Sequence, residues 1–294
     1  MKTKYLFLIL AFSLVTLIIT GCKHPAQSTQ AESYQYTDDY NNTITIPSNP
    51  QRIVSLSPAV TEIIFDLGKS DLLVGRTDFC TYPEEALQIE SVGGISNLNV
   101  EKILSLHPDL VISGSMIPQK AAEHLHSLGV PLVCVIEKTE FDGLYENISK
   151  IGQLVGCSNE ADSLNQTLRE AVQAVDSAIQ NYPTAYYVVG FGANGNFTAG
   201  GNTFINDLIR MAGGRNIAEG VQGWSYSLEA LMSEDPDFII VRREDSADFC
   251  NLHPYSSLSA VRSGHVIGIV SGTLDLQVPR NIDAILYLRN RFHQ

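Results

Sequence analysis

Two short stretches set a carboxylate in the same frame. Residues 99–112 read NVEKILSLHPDLVI and residues 227–240 read SLEALMSEDPDFII; Glu101 and Glu229 each stand seven residues before a proline, and Pro-Asp and an apolar run follow. Asn99 and Ser227 are good N-cap residues, so each glutamate falls in a first helical turn. An anion there is stabilised by the helix dipole by about 0.3–1 kcal/mol, and neither glutamate holds the third helical position that a capping box requires. One reading is local helix stabilisation. The other is a function that needs one anion in each half of the chain.

Other residue patterns offer less chemistry. GFGANG, with Gly190, Gly192 and Gly195, fits G-x-G-x-x-G after an apolar run. NFTAGGN separates it from the next helix, so no helix N-terminus meets a pyrophosphate; Arg215 stands where an acidic ribose partner is needed. The glycines are read instead as letting the backbone turn closely around a ligand or a loop. His124 and His126 stand two apart on a predicted helix and share no face. His253 and His265 are scattered, so no metal site is expected. Neither G-x-S-x-G nor a Cys-Gly-rich catalytic loop is present, and the pairs Asp38-Asp39 and Glu84-Glu85 lie in turn-like segments, so no catalytic residue and no enzyme are expected. Trp224, the single tryptophan, lies in QGWSYS beside Tyr226, and Tyr82 lies in FCTYP. Each is either a hydrophobic plug or a flat surface on which a ligand stacks.

These residues sit in a chain with a distinctive start. Lys2 and Lys4 precede the apolar run YLFLILAFSLVTLII, which closes on Ile19-Thr20-Gly21-Cys22. That is the pattern of an export signal; uncleaved, the run is about long enough to span a bilayer. The small-small-Cys ending is similar to a bacterial lipoprotein signal, in which the cysteine takes lipid and becomes the new N-terminus. Residues 1–21 are read as that signal, Cys22 as the lipid site and residues 22–35 as a flexible tether. The expected location is the extracytoplasmic face of a cell membrane, held by lipid. Roughly 255–260 residues then remain, enough for two lobes each with a core. Loss of Lys2 and Lys4 moves the formal charge from −13 to −15. An acidic body argues against nucleic acid or anionic lipid and suits a basic partner. Among the remaining cysteines, Cys134 in VPLVCVIE reads as a buried small hydrophobe. Cys80 and Cys157, in loop-like contexts of an exported chain, are the candidate disulfide.

The elements that must position these groups follow from periodicity. YQYTDDYNNTITIP predicts a hairpin. RIVSL, LLVG, DLVIS and VPLVCVIE predict short buried strands, alternating with helices over AVTEIIFDLG (N-cap Ser57, Pro58 first, Gly68 last), VEKILSL and KAAEHLHSLG. ADSLNQTLREAVQAVDSAIQNY spaces Leu164, Leu168, Val172, Val175 and Ile179 as one long helix. The first theme then resumes: AYYVVGFG, DFIIVR and HVIGIVSG as strands, with TFINDLIRMAGG, SLEALMSE, YSSLSAVRSG and RNIDAILYLRNRF as helices. The expected fold is α/β: two Rossmann-like α/β lobes, residues 36–157 and 183–294, joined by one long interlobe helix, residues 158–182.

RIVSLSPAVTEIIFDLG, VGGISNLNVEKILSLHPDLVI, FGANGNFTAGGNTFINDLIRMAGGRNI and GWSYSLEALMSEDPDFIIV together resemble the helical-backbone substrate-binding proteins of ABC importers, which capture cobalamin, ferric siderophores or haem. The resemblance covers residues 36–294. Ser57-Pro58 and the Trp224 loop look most like the cobalamin-binding branch. It implies a ligand cleft between the lobes, and one glutamate per lobe docking against arginines of a twofold permease. Glu101 and Glu229 match those positions. Pro58, Tyr82, Phe197 and Trp224 match positions that line the cobalamin cleft; a corrinoid is large and flat and suits aromatic contact. The chain departs from that branch at Ile95, where the relative has tryptophan, and at Gly272 and Leu276, where it has an acidic and a basic residue. The implied protein is a monomeric receptor with no cofactor of its own. Its ligand is a cobalt corrinoid, with a ferric siderophore or haem as alternatives. An exported enzyme or an adhesion lipoprotein are the readings from other classes.

Overall fold

Short runs of Val, Ile and Leu bury on both faces only inside a parallel sheet covered by helices, and that is where these runs lie. The computed structural model describes residues 32–95, 97–175 and 182–294. The chain opens with an antiparallel hairpin, β1 (Ser33–Thr37) and β2 (Thr43–Pro47), with Ser33 opposite Pro47. Asp38 makes its turn by accepting the N–H groups of Tyr40 at 3.0 Å and Asn42 at 2.8 Å. Asp39 is bound to Lys150 at 2.6 Å, so this pair of carboxylates is structural.

In the first lobe, β3 (Ile53–Ser55) leads into α1 (Pro58–Asp66), then β4 (Leu73–Arg76), the small hairpin β5 (Gly93–Gly94) and β6 (Asn97–Leu98), α2 (Val100–Ser105), β7 (Leu110–Ser113), α3 (Gln119–Ser127) and β8 (Leu132–Cys134). Ser57 has the extended backbone of an N-cap, yet its hydroxyl caps nothing; Pro58 takes the first helical position. Two helices follow, α4 (Asp142–Leu154) and α5 (Ser158–Val175). The long helix is therefore present from Ser158. Ile179 and the rest of residues 176–181 lie outside the described residues, as does Cys22 with the leader. Sequence reading assigned no element to α4, although Leu144, Ile148, Ile151 and Leu154 are all buried at helical spacing. A methyl on Gly152 would collide with Ala161, so α4 and α5 pack with little between them.

The second lobe runs β9 (Thr184–Tyr187), α6 (Phe204–Met211), β10 (Arg215–Asn216), α7 (Leu228–Glu234), β11 (Phe238–Arg242), α8 (Ser246–Asn251), α9 (Ser259–Arg262), β12 (Val266–Ile269) and α10 (Asn281–Phe292). The single helix expected over YSSLSAVRSG is two pieces, a 3₁₀ turn at Tyr255–Ser257 and α9, because Leu258 between them is extended.

The two sheets have one topology. The first is ordered β4-β3-β7-β8 and the second β10-β9-β11-β12, all pairs parallel, so each reads second-first-third-fourth in the chain order of its own sheet's strands. Side chains alternate across each sheet. Leu110 and Ile112 of β7, and Ile240 of β11, enter one contiguous core that runs through both lobes to Phe292. Val111 faces a separate cluster with Ile103 and Leu132, while Ile239 and Val241 face another with Leu231 and Phe249. At the lobe junction Phe141 stacks on Phe204 and donates its N–H to Asp207 at 2.8 Å. Gln277 accepts the Lys138 N–H at 3.2 Å. The lobes thus share a packed base.

Candidate functional site

In open parallel sheets the carboxyl ends of the strands carry the ligand site, because the loops there are free to vary on a rigid support. Pro58 follows β3 there and is half-buried. The loop after β4 carries Phe79 and Tyr82, 58% and 51% exposed; the second lobe carries Phe197 and Trp224, 39% and 50% exposed. Large rings left open at strand ends from both lobes are flat apolar surfaces in want of a partner. Tyr82 and Trp224 are therefore exposed rings rather than buried ones. Phe79 was missed in the sequence; its loop was noted only for the tyrosine.

The second lobe builds its aromatic surface from the glycine motif. Phe197 pairs with Gly190 on one side and Ser225 on the other. A Cβ on Gly190 would stand 3.1 Å from the Phe197 ring, and one on Gly195 3.4 Å from it; Gly195 also has φ +95. GFGANG is therefore a seat for a phenylalanine ring, with the bare backbone supplying the room. Residues 196–201 then hold the tryptophan loop. Tyr226 donates to the Asn196 carbonyl at 3.2 Å, Thr198 to that of Trp224 at 2.8 Å and Gly200 to that of Gly223 at 2.9 Å. The Trp224 ring is open while its backbone is fixed.

Arg280, just before α10, reaches the first lobe. Its Nε donates to Glu62 Oε2 at 2.7 Å and its Nη2 to Glu62 Oε1 at 2.9 Å, and its guanidinium carbon lies 4.5 Å from the centre of the Tyr82 ring. Burial pushes the Glu62 carboxyl above its ordinary range, against the pull of Arg280. Asp66, one turn along α1, is pushed up to about 6 by burial and by the Glu62 charge. Removing one partner of so enclosed an ion pair costs about 3–5 kcal/mol, since it strands the other charge.

Glu101 and Glu229 are exposed, each in the first turn of the helix that precedes the third strand of its lobe. Asn99 Oδ1 accepts from the Lys102 N–H at 2.9 Å and Ser227 Oγ from the Ala230 N–H at 3.0 Å. Lys102, beside Glu101, is engaged by Glu90. Among the described residues neither Glu101 nor Glu229 forms an ion pair.

The expected disulfide is not formed. Cys80 and Cys157 are both free and buried. Cys80 Sγ lies 3.3 Å from Thr77 Oγ1 in the β4 loop, whereas Cys157 packs between α4 and α5 in the shared core, so each sulfur is already enclosed by its own surroundings. Among the described residues no group of three His, Cys, Asp or Glu side chains is placed to hold a metal, and no helix is long and apolar enough to cross a membrane. A hollow of about 540 Å³ lined by Tyr145, Gln173, Asp207 and Ile285 lies among α4, α5, α6 and α10, away from the strand ends. Pro58, Tyr82, Phe197 and Trp224 do not line it.

With this geometry, the chain can be set beside known proteins. Residues 53–271 match the periplasmic binding protein family. A cobalamin-binding protein of Halobacterium salinarum is 32% identical over 291 residues, covering 92% of this chain and 78% of its own. A Bacillus subtilis protein named as an uncharacterized ABC transporter substrate-binding lipoprotein, YvrC, is 28% identical over 292 residues, covering 94% of this chain and 93% of its own. The solved periplasmic heme-binding protein RhuT from Roseiflexus sp. RS-1, in apo form, superposes with a TM-score of 0.76 at 26% identity, covering 83% of this chain and 98% of that one. All three are binding proteins by name. The two parallel sheets of one topology agree with that fold, and the chain belongs to the periplasmic binding protein family.

Proposed function

We propose that the protein is the extracytoplasmic substrate-binding component of an ABC importer, and that it captures a flat metal chelate, foremost cobalamin or another corrinoid, and delivers it to the permease. The observation that carries this reading is the set of open rings at the strand ends, Tyr82 from one lobe and Phe197 and Trp224 from the other. A corrinoid presents broad apolar faces with amide edges, which such rings cover without needing a charged partner. Pro58 completes the proposed lining at the start of α1. The cobalamin-binding relative supports the corrinoid, and the heme-binding structure supports haem as a second ligand. Glu101 and Glu229, exposed and equivalent in the two lobes, are proposed to dock on arginines of the two permease subunits. Cys22 is proposed as the lipid anchor, residues 36–157 and 183–294 as the lobes, and a monomer as the working state.

The test is a titration of the purified protein with cyanocobalamin, dicyanocobinamide, hemin and a ferric siderophore, followed by Trp224 fluorescence. Quenching by a corrinoid at low concentration is expected. Quenching by hemin alone would transfer the reading to haem, and no quenching by any of the four would end the pocket assignment. For the anchor, Cys22→Ser is expected to abolish labelling by a radioactive fatty acid; unchanged labelling would refute it.

A further inference from the structure

Arg280 joins the last loop of the second lobe to the proposed ligand surface of the first, and the hydrogen bonds around it say what it does there. Two N–H groups go to Glu62. Another from Nη2 reaches the Gly272 carbonyl at 3.2 Å, and one from Nη1 reaches Thr273 Oγ1 at 3.2 Å. Both edges of the guanidinium fork, the Nε–Nη2 side and the Nη1–Nη2 side, therefore already have acceptors. An arginine so engaged offers no bidentate edge to a ligand carboxylate. What it has left is its flat face, and its guanidinium carbon lies over the Tyr82 ring, 4.5 Å from the ring centre. The Arg280 side chain is 19% exposed and that of Glu62 4%, whereas Tyr82 is half exposed. The ring thus has the guanidinium on one side, while about half of the residue stays open to solvent.

We infer that Arg280 is a positioning residue for the ligand: Glu62 clamps its guanidinium, the guanidinium fixes the Tyr82 ring, and the open face of that ring receives an uncharged flat surface of the chelate. The inference rests on the reading of Tyr82 as a ligand contact and deepens it by naming what sets the ring. It also gives the pair Gly272 and Thr273 a task, since the last loop of the second lobe holds the arginine that orders the first lobe's ring. A ligand stacked on Tyr82 is then sensitive to the relation between the lobes, because the ring's support comes from across the seam. Arg76 at the end of β4 and Arg242 at the end of β11 are likewise engaged: Arg76 donates to the Ala86 and Thr77 carbonyls, and Arg242 to the Val189 carbonyl and Asp245.

The experiment is a double-mutant cycle on the purified full chain, with cyanocobalamin as probe, combined with fluorine NMR of the protein carrying 3-fluorotyrosine at Tyr82. Arg280→Lys keeps the charge for Glu62 but removes the flat face. It is expected to weaken binding about tenfold, and Tyr82→Leu by a similar factor, while the double variant is no weaker than Tyr82→Leu alone. Tyr82→Phe retains the ring and is expected to bind within about twofold of the parent. In the ligand-free protein the Tyr82 fluorine resonance is expected to move on Arg280→Lys. Factors that simply multiply in the double variant, or an unmoved resonance, overturn the proposal. Glu62→Gln approaches the same chain from its buried end, with Arg280 and Tyr82 themselves unsubstituted but the guanidinium released from its clamp. It is expected to move the resonance in the same direction, and an unmoved resonance there overturns the proposal even where Arg280→Lys does not fold. If the parent protein binds no corrinoid at all, the ligand reading fails separately, and the resonance still decides whether Arg280 sets the ring.

Discussion

The two lobes are the same object below and different objects above. Below the strand ends the agreement is residue by residue. Asp109 accepts the N–H groups of Gln51 and Arg52 at 2.8 and 3.0 Å, next to the first strand of its lobe. Asp237 accepts the N–H and hydroxyl of Thr184 at 2.7 Å each, at the first strand of the other. His107 and Asp235, which precede the paired prolines, both take left-handed backbone, with φ 46 and φ 39. The repeated Pro-Asp is thus a device for tying the third strand to the first. Above the strand ends the lobes part. The first presents Phe79 and Tyr82 from a loop steadied by the β5–β6 hairpin, the second Phe197 and Trp224 from a glycine seat. A duplicated scaffold with matched glutamates and unmatched rings suits a protein that meets a twofold partner at one surface and an asymmetric ligand at another.

The largest effect is expected where the lobes agree and the residues are exposed. Under the docking reading, Glu101→Ala with Glu229→Ala should lower uptake by about a hundredfold, as expected for the joint loss of two charge-assisted contacts, and should leave ligand affinity within about twofold. Uptake in cells and ligand titration on the same variant decide it. Normal uptake, or affinity that falls in step with uptake, breaks the docking half of the comparison.

A smaller effect is expected where the lobes differ. Trp224→Ala should cost about 1–3 kcal/mol of ligand affinity with little change in melting temperature, as for a central ring at an interface. Unchanged affinity for every chelate tried would make Trp224 an ordinary surface ring and leave the second lobe without its main contact.

Smaller again is the pair that ties the strands. Asp109→Ala and Asp237→Ala should each cost about 1–2 kcal/mol of stability, read as a fall of about 2–4 °C in melting temperature per kcal/mol, with ligand affinity retained. Near-equal losses would confirm one structural role in two lobes. A loss confined to one of them would show that only that lobe depends on the tie.

Much of the scaffold was legible because its signals are local. Apolar runs such as DLVIS and DFIIV mark buried strands, and the repeated Pro-Asp frame marks the duplication. The helix α4 was missed although its apolar spacing is regular, because Gly143 and Gly152 interrupt propensity, and what requires Gly152 is its tertiary contact with Ala161 and the Cys157 carbonyl. The glycine motif was set aside as a nucleotide loop for sound reasons of spacing, but its real occupant, Phe197, is visible only once backbone and ring are placed. The Cys80–Cys157 pairing failed because loop-like sequence says nothing of distance. Arg280 was not singled out at all: its partner Glu62 lies 218 residues away, and no periodicity carries such a contact.

The smallest effect separates the lobes by charge at their seam. The first lobe brings Glu62 and Asp66 there, and the second brings Arg280. Partial burial and the neighbouring Glu62 raise the Asp66 carboxyl from 3.8 to about 6, and Arg280 opposes the shift without cancelling it. Asp66 also ends α1, where the helix dipole disfavours an anion. Below about pH 4 the group is protonated in folded and unfolded chains alike and has no effect on the balance. Between about pH 4 and pH 6 the unfolded chain gives up the proton first, so the folded state loses stability as pH rises, and the loss persists above that window. Asp66→Asn keeps the shape of the neutral form. It should therefore melt slightly above the parent at pH 7.5 and level with it at pH 4, the difference being modest because Asp66 is only partly buried and water screens its charge. Thermal melts of parent and variant at the two pH values provide the measurement. A variant that melts level with or below the parent at pH 7.5 would show that Asp66 is held charged by Arg280, and would recast the seam as a three-charge cluster rather than a buried pair with a strained neighbour.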